Sequence, residues 1–403
     1  MAKISVVIPC YNHAHFLELA VKSVTNQTYH DYEITIINAD STYNTHEVAA
    51  RLLSSNIKYV FQNNRGLSAA RNTGISHSSG DYLVFLDADD ELETTFFERC
   101  LHEISNDPSA MLAGVYCLGF FIDEEGNTLP SLAGSNVVPP PEFRNRIVEG
   151  RLHPVHAAML HRRIINELGG FDHTLTSLED WDYWLRISAR YTMRGISEPL
   201  VRYRIVPDSM SSDADRINNN RIRVLCKHFG PLDGDVKNWA TEKRKAYGYG
   251  YKRSALMYMA NDRENTGWQL LEAACAFWPA LISSIETYYE IACITQPRGL
   301  HGEVGTIDLI ARETHMTAWL KDYFQRSSLD VKSIQGRAFG NMYVSLAMIS
   351  DQKGDWARAR HYLLRAIACE PALGRDPSIL RRLMKLAIGQ SRIQWIKHLI
   401  SNT

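Results

Sequence analysis

The sequence lacks three features that would assign a chain to a familiar class at once. None of its seven cysteines stands at CxxC spacing from another, so neither a zinc site nor a disulfide framework is expected. The longest apolar stretch, Met111–Ile122, has 12 residues with two glycines, whereas a membrane-spanning helix needs roughly 20 apolar residues. The net charge is −1, which is atypical of a nucleic-acid-binding protein. We therefore expect a reduced, cytoplasmic protein that binds no nucleic acid and has at most peripheral membrane contact.

The length and charge distribution indicate more than one domain. A chain of 403 residues that is 45% hydrophobic is long enough for two or three domains. Residues 1–230 carry 21 basic and 28 acidic side chains, whereas residues 231–403 carry 23 and 17. From Lys353 onward there are 10 basic and three acidic side chains. This basic segment is either a face for anionic lipid or an anionic acceptor, or an ordinary solvated helix surface, and the second is favoured.

The N-terminal third reads as alternating strands and helices. The first apolar stretch has five residues before Pro9, which is shorter than the roughly 7–15 of a secretory signal and indicates a strand. Strands separated by short helices predict a mostly parallel α/β sheet, with ligands beyond the carboxyl ends of its strands. The predicted strands are Ile4–Ile8, Glu33–Ile37, Ile57–Phe61 and Tyr82–Leu86. The predicted helices are Phe16–Val24, His46–Leu53, Gly66–Ser76 and Thr94–Ile104.

An acidic cluster follows the fourth predicted strand. Asp87, Asp89 and Asp90 stand within four residues, and adjacent carboxylates repel one another unless they are exposed or neutralised. Alternation puts Asp87 and Asp89 on one side, where they are suited to Mg²⁺ or Mn²⁺. The cluster is equally compatible with an acidic first turn of the following helix.

Five motifs in order resemble those of family 2 glycosyltransferases, over about residues 3–211. The motifs are Ser5–Asn12 (SVVIPCYN), Asn64–Gly74 (NRGLSAARNTG), Gly80–Asp90 (GDYLVFLDADD), Gly169–Asp172 (GGFD) and Glu179–Arg186 (EDWDYWLR). The resemblance implies a GT-A fold, with a Rossmann-like nucleotide-binding half and an acceptor-binding half. It also implies inverting transfer from a nucleotide-activated sugar, usually with Mg²⁺ or Mn²⁺.

The same resemblance implies roles for individual residues. Asp180 matches the general base, and Glu179 is a weaker candidate for the base or for orienting it. Asp87 and Asp89 match the metal-binding DxD pair, with Asp89 as the metal ligand and Ala88 between them. Residues that match the nucleotide site are Pro9, Tyr11, Asn12, Arg71, Asp87 and Ala88.

The segment Glu179–Tyr191 has helical spacing, which puts Asp180 in a first turn where the helix dipole favours a carboxylate. That electrostatic role alone is the alternative to catalysis. Trp181 and Trp184 are predicted to pack in the core rather than to stack on a sugar. His153, His156 and His161 are likewise predicted to pack or cap, although any of them could meet an acceptor.

Two positions depart from the family pattern. Ala39 stands where relatives usually have an aspartate that binds uracil, so Asp40 or Asn38 substitutes for it, or the base is not uracil. Val206 stands where relatives often have a metal-binding histidine, which leaves Asp208 or water for that position. Metal dependence is therefore less firmly predicted than the DxD pair alone indicates.

The C-terminal half is predicted to be helical and repeat-like. Residues of about 247–280 and 339–372 resemble tetratricopeptide repeats, the second more closely than the first. In the first, Asp262 stands at the turn position that is usually small. Repeat surfaces commonly bind peptides or proteins, but a structural extension or a dimerisation element fits equally.

The predicted organisation is a GT-A glycosyltransferase domain in residues 1–215 and a helical domain in residues 216–403. The predicted function is inverting sugar transfer from a nucleotide sugar, most simply a UDP-sugar. The acceptor would be a glycan, a lipid-linked glycan or a protein. The alternative is a repeat-based scaffold, with protein partners on its helices and a catalytically impaired transferase domain.

Overall fold

A computed structural model describes residues 3–42, 44–107, 109–134, 137–151, 153–206, 213–297, 299–300 and 303–388. The chain forms two compact units, one of residues 1–246 with 298–300 and one of residues 247–297 with 301–403. The sequence predicts a domain boundary at residue 215, and the first compact unit includes the helix that follows this position.

The first unit is an α/β structure. Its strands are β1 Ile4–Cys10, β2 Tyr32–Asn38, β3 Ile57–Phe61, β4 Tyr82–Phe85, β5 Glu91–Leu92, β6 Leu112–Ile122, β7 Thr128–Ala133, β8 Ala158–His161 and β9 Thr192–Arg204. Its helices are α1 Ala14–Thr25, α2 Thr45–Leu52, α3 Leu67–Ser76, α4 Phe96–Ser105, α5 Phe143–Val148, α6 Arg162–Leu168, α7 Glu179–Ser188 and α8 Ala214–Phe229. All eight elements predicted for the N-terminal third are present, with ends shifted by a few residues.

The described strands form one mixed sheet in the order β3-β2-β1-β4-β8-β6-β9-β5, with β7 paired to β6. Strands β1 to β4 are parallel, and β6 and β9 run in their direction, while β5, β7 and β8 run against it. The predicted α/β class with a mostly parallel sheet is confirmed. The sheet thus joins a parallel half, made of β1 to β4, to a mixed half.

Strand β1 shows why the parallel half forms. All seven of its residues are buried, which requires cover on both faces of the sheet. Val6 and Ile8 pack in the same core as Leu17 of α1, while Val7 lies against Gly74 of α3. The apolar side chains of α1 lie at the helical spacing read from the sequence.

The central strands of the sheet were harder to read from the sequence. The long apolar stretch contains β6, which lies between β8 and β9. Strand β9 pairs in parallel with β6, and the register shifts around Pro199. Because its sequence is polar in places and contains a proline, it has no clear strand pattern. Its last residue, Arg204, lies next to the acidic loop, which is residues 86–90 between β4 and β5.

The second unit is helical. Helix α9 (Thr241–Ala260) begins in the first unit and continues into the second. The following helices are α10 Glu264–Phe277, α11 Ile285–Ala292, α12 Leu309–Arg326, α13 Leu329–Lys332, α14 Gln335–Gln352, α15 Trp356–Cys369 and α16 Pro377–Ile388. Within the described ranges, none of the helices is long and apolar enough to cross a membrane.

Each predicted repeat segment contains a pair of helices joined by a short turn. The second pair, α14 and α15, turns at Gly354, whose φ is +75°. In the first pair, α9 and α10, Asp262 takes the left-handed conformation at φ +57°, so an aspartate performs the turn without a glycine. The buried Ala359 and Ala366 leave room for close helix packing. The likeness to tetratricopeptide repeats stays a prediction.

Gly114 in β6 provides a test of the sheet packing. A Cβ atom there would lie 2.2 Å from the backbone oxygen of Met159 in β8. Because backbone cannot move aside cheaply, we expect Gly114→Ala to lower the free energy of unfolding by about 1–3 kcal/mol. Gly305→Ala is the control, since no atom lies within 4 Å of its added Cβ. Equal urea-unfolding curves for the two variants would contradict the packing described here.

Candidate active site

The site lies at the carboxyl edge of the parallel strands, where the loops after β1, β2 and β4 meet. Parallel strands end at one edge of a sheet, so segments distant in sequence converge there. The loop after β1 carries Tyr11 and Asn12, the loop after β2 carries Asp40, and the loop after β4 carries Asp87 and Asp89. The structure thus brings the predicted nucleotide-binding and metal-binding residues to one edge.

Asn12 fastens the first two loops together. Its backbone N–H donates to the Ser41 hydroxyl at 3.1 Å, and its side-chain Oδ1 accepts from the Thr42 N–H at 2.9 Å. The residue has a φ of +60°, a left-handed conformation that asparagine tolerates better than most residues. Pro9 lies within β1, and the Tyr11 side chain is 46% exposed. This loop therefore presents an exposed ring beside a fixed backbone.

The three candidates for base recognition differ in accessibility. Asn38 is buried, with Oδ1 accepting from the Ser41 N–H and Nδ2 donating to the Tyr59 hydroxyl, both at 3.0 Å. Ala39 is also buried. Asp40 is exposed and has a φ of +64°. Of the three, Asp40 has the side chain that can meet a ligand without breaking existing bonds.

A cavity of about 490 Å³ adjoins this loop region. Asn12 and Ala14 line it together with His15, Asn44 and Val48. Its size falls within the range of small-molecule sites. The cavity is thus large enough for a small ligand, and it lies beside the carboxyl edge of the sheet, where parallel α/β proteins bind ligands.

The acidic loop concentrates negative charge in a poorly hydrated place. Asp90 is buried, and its Oδ1 accepts from the Arg204 backbone N–H at 2.8 Å, while Oδ2 lies 2.9 Å from Nδ1 of His156. Burial, with Asp90 and Asp87 nearby, raises the pKa of Asp89 to about 7. Burial also raises the pKa of Asp90, although His156 opposes the shift.

The pKa of His156 is also raised, but for a different reason. Burial alone would lower the pKa of the imidazole, but Asp90, Asp87 and Asp89 outweigh it and raise the pKa. The Nε2 atom of the ring is buried and has no hydrogen-bond partner. The loop and its histidine therefore form a site that a cation would stabilise.

Three side chains have the geometry to hold a divalent ion. One ligand atom each from Asp87, Asp90 and His156 lies within 4.8 Å of the other two. Two carboxylates and an imidazole suit Mn²⁺, and the carboxylates suit Mg²⁺. The sequence predicted Asp87 with Asp89, and ligation by Asp89 stays a prediction. Asp208, the possible replacement for a histidine at Val206, lies outside the described residues.

Arg71 joins the acidic loop to helix α7. Its side chain is 2% exposed, and its two terminal nitrogens bond to Asp87 and Glu179, each at 2.8 Å. Burial alone would lower the pKa of Arg71, but Asp87 and Glu179 outweigh it and raise the pKa. The guanidinium also lies over the Phe171 ring, 5.2 Å from its centroid. The residue predicted to lie near the nucleotide is thus engaged inside the protein.

The next residue, Asn72, supports the same region. Its side-chain amide accepts from the backbone N–H of Phe171 and donates to the Phe171 carbonyl, both at 2.8 Å. Two consecutive residues of α3 therefore hold the GGFD segment and the start of α7. These bonds explain why the motif Asn64–Gly74 lies beside the motif Gly169–Asp172, although about 100 residues separate Asn72 from Phe171.

Helix α7 presents two adjacent carboxylates in different states. Leu178, directly before the helix, has a φ of +60°, which is strained for leucine. Glu179 is buried against Arg71. Asp180 is half-buried, its Oδ1 accepts from the Trp181 N–H at 2.7 Å, and no ion pair to it is found in the described part of the chain. Burial and the neighbouring Glu179 raise the pKa of Asp180 to about 6, although Arg71 opposes the shift.

The tryptophans of α7 pack in the core, as the sequence predicted. Trp181 and Trp184 are almost fully buried, and their indole N–H groups donate to the carbonyls of Ile147 at 2.8 Å and His153 at 3.2 Å. The buried Asp182 on the same helix bonds to Arg186 and contacts Lys227 and His228 of α8. Helix α8 therefore helps to fix the orientation of α7.

Sequence reasoning assigned no role to Asp90 and Arg204, and it favoured simple packing for His156. Their roles arise from pairing across the sheet, which no local pattern reveals. The only available signal for Asp90 was its place beside the DxD pair.

Comparison with known proteins finds a family match within the first unit. Residues 5–169 match the family model described as Glycosyl transferase family 2. A chondroitin synthase of Pasteurella multocida is 32% identical over 187 residues, which is 46% of this chain and 19% of that protein. An uncharacterised glycosyltransferase of Bacillus subtilis, EpsJ, is 30% identical over 221 residues, which is 52% of this chain and 62% of that protein. The chain thus spans less than two thirds of the length of these relatives.

Solved structures of similar extent have low sequence identity to the chain. The crystal structure of S. aureus TarS 1-349 covers 92% of this chain and 90% of its own, at 13% identity and a TM-score of 0.45. The structure of a mannosyltransferase of Pyrobaculum calidifontis in complex with GDP-Man and Mn²⁺ aligns with 91% of this chain and over 86% of its own length, at 16% identity and a TM-score of 0.47.

The double ion pair of Arg71 predicts a measurable coupling. Arg71→Met leaves Glu179 buried without its cation, so we expect the free energy of unfolding to fall by about 3–5 kcal/mol. Adding Glu179→Gln removes the uncompensated charge and should restore part of this loss. Urea unfolding of the two single variants and the double variant measures the coupling. A double variant no more stable than Arg71→Met would contradict it.

Proposed function

We propose that this chain, whose residues 5–169 match the model described as Glycosyl transferase family 2, transfers a sugar from a nucleotide-diphosphate sugar to an acceptor hydroxyl with inversion at the anomeric carbon. The observation that carries the proposal is the link that Arg71 makes between the acidic loop and the pair Glu179–Asp180. One side of this link offers groups for a cation and a diphosphate, and the other offers a carboxylate for an incoming hydroxyl.

The proposed step is a single in-line displacement. Asp180 accepts the proton of the acceptor hydroxyl as its oxygen bonds to the anomeric carbon, and the bond from that carbon to the diphosphate oxygen breaks. A pKa of about 6 leaves Asp180 ionised at neutral pH yet more basic than an ordinary aspartate. Glu179 is paired with Arg71, so its proposed role is to fix the start of α7 and to keep a negative charge beside Asp180.

The residues of the acidic loop fit a divalent metal. Asp87, Asp90 and His156 would hold it, with Asp89 as the further carboxylate expected from the sequence. The orphaned Nε2 of His156 and the repulsion among the acids both favour a bound cation. Mn²⁺ or Mg²⁺ would supply positive charge for the departing diphosphate.

The proposed donor is a UDP-sugar, and the proposed product is a polysaccharide or another glycoconjugate. Two relatives bear the names chondroitin synthase and hyaluronan synthase, which are names of polysaccharide-forming enzymes. Asp40 is the proposed partner of the base because it is exposed where Ala39 and Asn38 are buried. The acceptor would be a glycan, a lipid-linked glycan or a protein, and the helical unit would bind a protein partner.

Exposed apolar and basic side chains of α15 and α16 support peripheral contact with an anionic membrane. Leu364 is 57% exposed on α15, and Leu380 and Met384 are 41% and 59% exposed on α16. Arg360 on α15 and Arg381 on α16 are also exposed. A helix with apolar and basic side chains on its exposed side favours the interface of an anionic bilayer.

Asp180→Asn tests the assigned base. We expect nucleotide release from the donor sugar to slow by at least 100-fold, because the amide cannot take the proton. UDP with Mn²⁺ at 100 times its dissociation constant should still stabilise the variant by about 2.7 kcal/mol. In the unmodified protein, the rate should fall as the pH drops through about 6, since protonation removes the base.

Asp233→Asn, at a highly exposed aspartate of the same unit, is the matched control and should keep full activity. Full turnover by Asp180→Asn would contradict the assignment of the base. Failure of UDP, GDP, dTDP and CDP to stabilise the unmodified protein, with or without Mn²⁺, would favour a scaffold.

The membrane proposal is tested by flotation with vesicles. We expect the protein to float with vesicles containing 30% phosphatidylglycerol, but not with pure phosphatidylcholine, and to be released by salt. The double variant Leu380→Gln and Met384→Gln should float less. The control changes Leu53 and Leu232 to Gln, since these leucines of the first unit are 50% and 49% exposed. Equal flotation of all three proteins would contradict the assigned surface.

A further inference from the structure

Arg204, the last residue of β9, has its side chain turned into the protein beneath the acidic loop. The side chain is 1% exposed. Its Nε donates to the Asp89 carbonyl at 2.9 Å, and its Nη2 bonds to the Glu91 carboxylate. Its Nη1 donates to the carbonyls of Asp123 and Glu124, each at 2.9 Å. A single guanidinium therefore joins the acidic loop to the turn between β6 and β7.

The backbone of the same residue adds a third attachment. The Arg204 N–H donates to Oδ1 of Asp90 at 2.8 Å. Arg204 thus bonds to Asp89 and Asp90 of the loop and to Glu91, the first residue of β5. Because neighbouring carboxylates repel, a loop of this composition needs such a buried cation to keep one shape.

The sheet fixes where Arg204 stands. Strand β9 pairs with β6 so that Arg204 lies opposite Ile122, directly before the turn that contains Asp123. The guanidinium also lies over the Phe16 ring of α1, 4.6 Å from its centroid. Strand register and ring packing hold the arginine from both sides, so its position does not depend on a ligand.

We propose that Arg204 is a positioning residue that holds the acidic loop in the shape required by the cation and the donor diphosphate. It contacts neither, since its side chain is buried and engaged with protein oxygens. This inference rests on the proposed function, because it assigns Arg204 to the donor side of that site. Loss of its bonds should therefore weaken donor binding while the sheet and its core remain.

The test compares Arg204→Lys with Arg162→Lys. Lysine keeps the charge but cannot donate to Asp89, Glu91 and the turn carbonyls together. Arg162 makes a similar set of bonds at the opposite edge of the sheet, to the Gly80 carbonyl and to the Ser78 hydroxyl at 3.0 Å. In both variants a lysine replaces an arginine that donates hydrogen bonds to backbone carbonyls, so the two substitutions are comparable.

Two measurements are made on each full-length protein. Hydrogen exchange of a peptide spanning residues 86–92 reports the loop, and calorimetric titration with UDP and Mn²⁺ reports the donor site. For Arg204→Lys we expect faster exchange of this peptide and at least tenfold weaker nucleotide binding. For Arg162→Lys we expect both values to stay within twofold of the unmodified protein.

The outcomes separate the inference from the function on which it rests. If Arg204→Lys binds UDP and Mn²⁺ as tightly as the unmodified protein, the inference is wrong. If the unmodified protein binds no nucleoside diphosphate, the proposed function fails, and unchanged exchange in Arg204→Lys would overturn the holding role as well. If Arg204→Lys does not fold, Glu91→Ala decides, since it removes one partner of the guanidinium. Unchanged binding and exchange in that variant would overturn the inference.

Discussion

The double ion pair of Arg71 is the interaction on which the rest of the site depends. One buried guanidinium bonds to Asp87 in the loop after β4 and to Glu179 at the start of α7, so two distant motifs share a single cation. A buried charge is tolerable only when partners surround it, and here each partner belongs to a different half of the site. In the proposed function, this link holds the donor side and the acceptor side in one geometry before any substrate binds. Asn72, next to Arg71, extends this hold to Phe171.

Excess negative charge is the second constraint, and it explains several features that have no local cause. Asp87, Asp89, Asp90, Glu179 and Asp180 all lie near the carboxyl edge of the sheet, and burial raises the pKa values of Asp89 and Asp180. Arg71, Arg204 and His156 are the basic groups that the described fold sets against them. The remaining imbalance favours a bound cation, and burial together with the neighbouring Glu179 raises the pKa of Asp180.

Backbone strain collects at the same edge of the sheet. Among the residues that the structure describes, four other than glycine have a positive φ, and Asn12, Asp40 and Leu178 are three of them. Asparagine and aspartate tolerate this conformation, but leucine does so only under constraint. Leu178 directly precedes Glu179, whose pairing with Arg71 supplies such a constraint. The fourth, Asp262, lies in the turn between α9 and α10 of the second unit.

The sequence by itself determined the first four strands, the helices between them and the order of the motifs, because those signals are local. Apolar spacing and the residues that follow each strand end suffice to predict a parallel sheet with a site at its carboxyl edge. Strand β9 and the roles of Arg204 and His156 were decided only by the tertiary structure, because they depend on register across the sheet. The same holds for Arg71, which the family resemblance implies near the nucleotide and which the structure shows paired with Asp87 and Glu179 inside the protein. Sequence patterns record which residues a segment carries, whereas pairing between distant segments decides which charges meet.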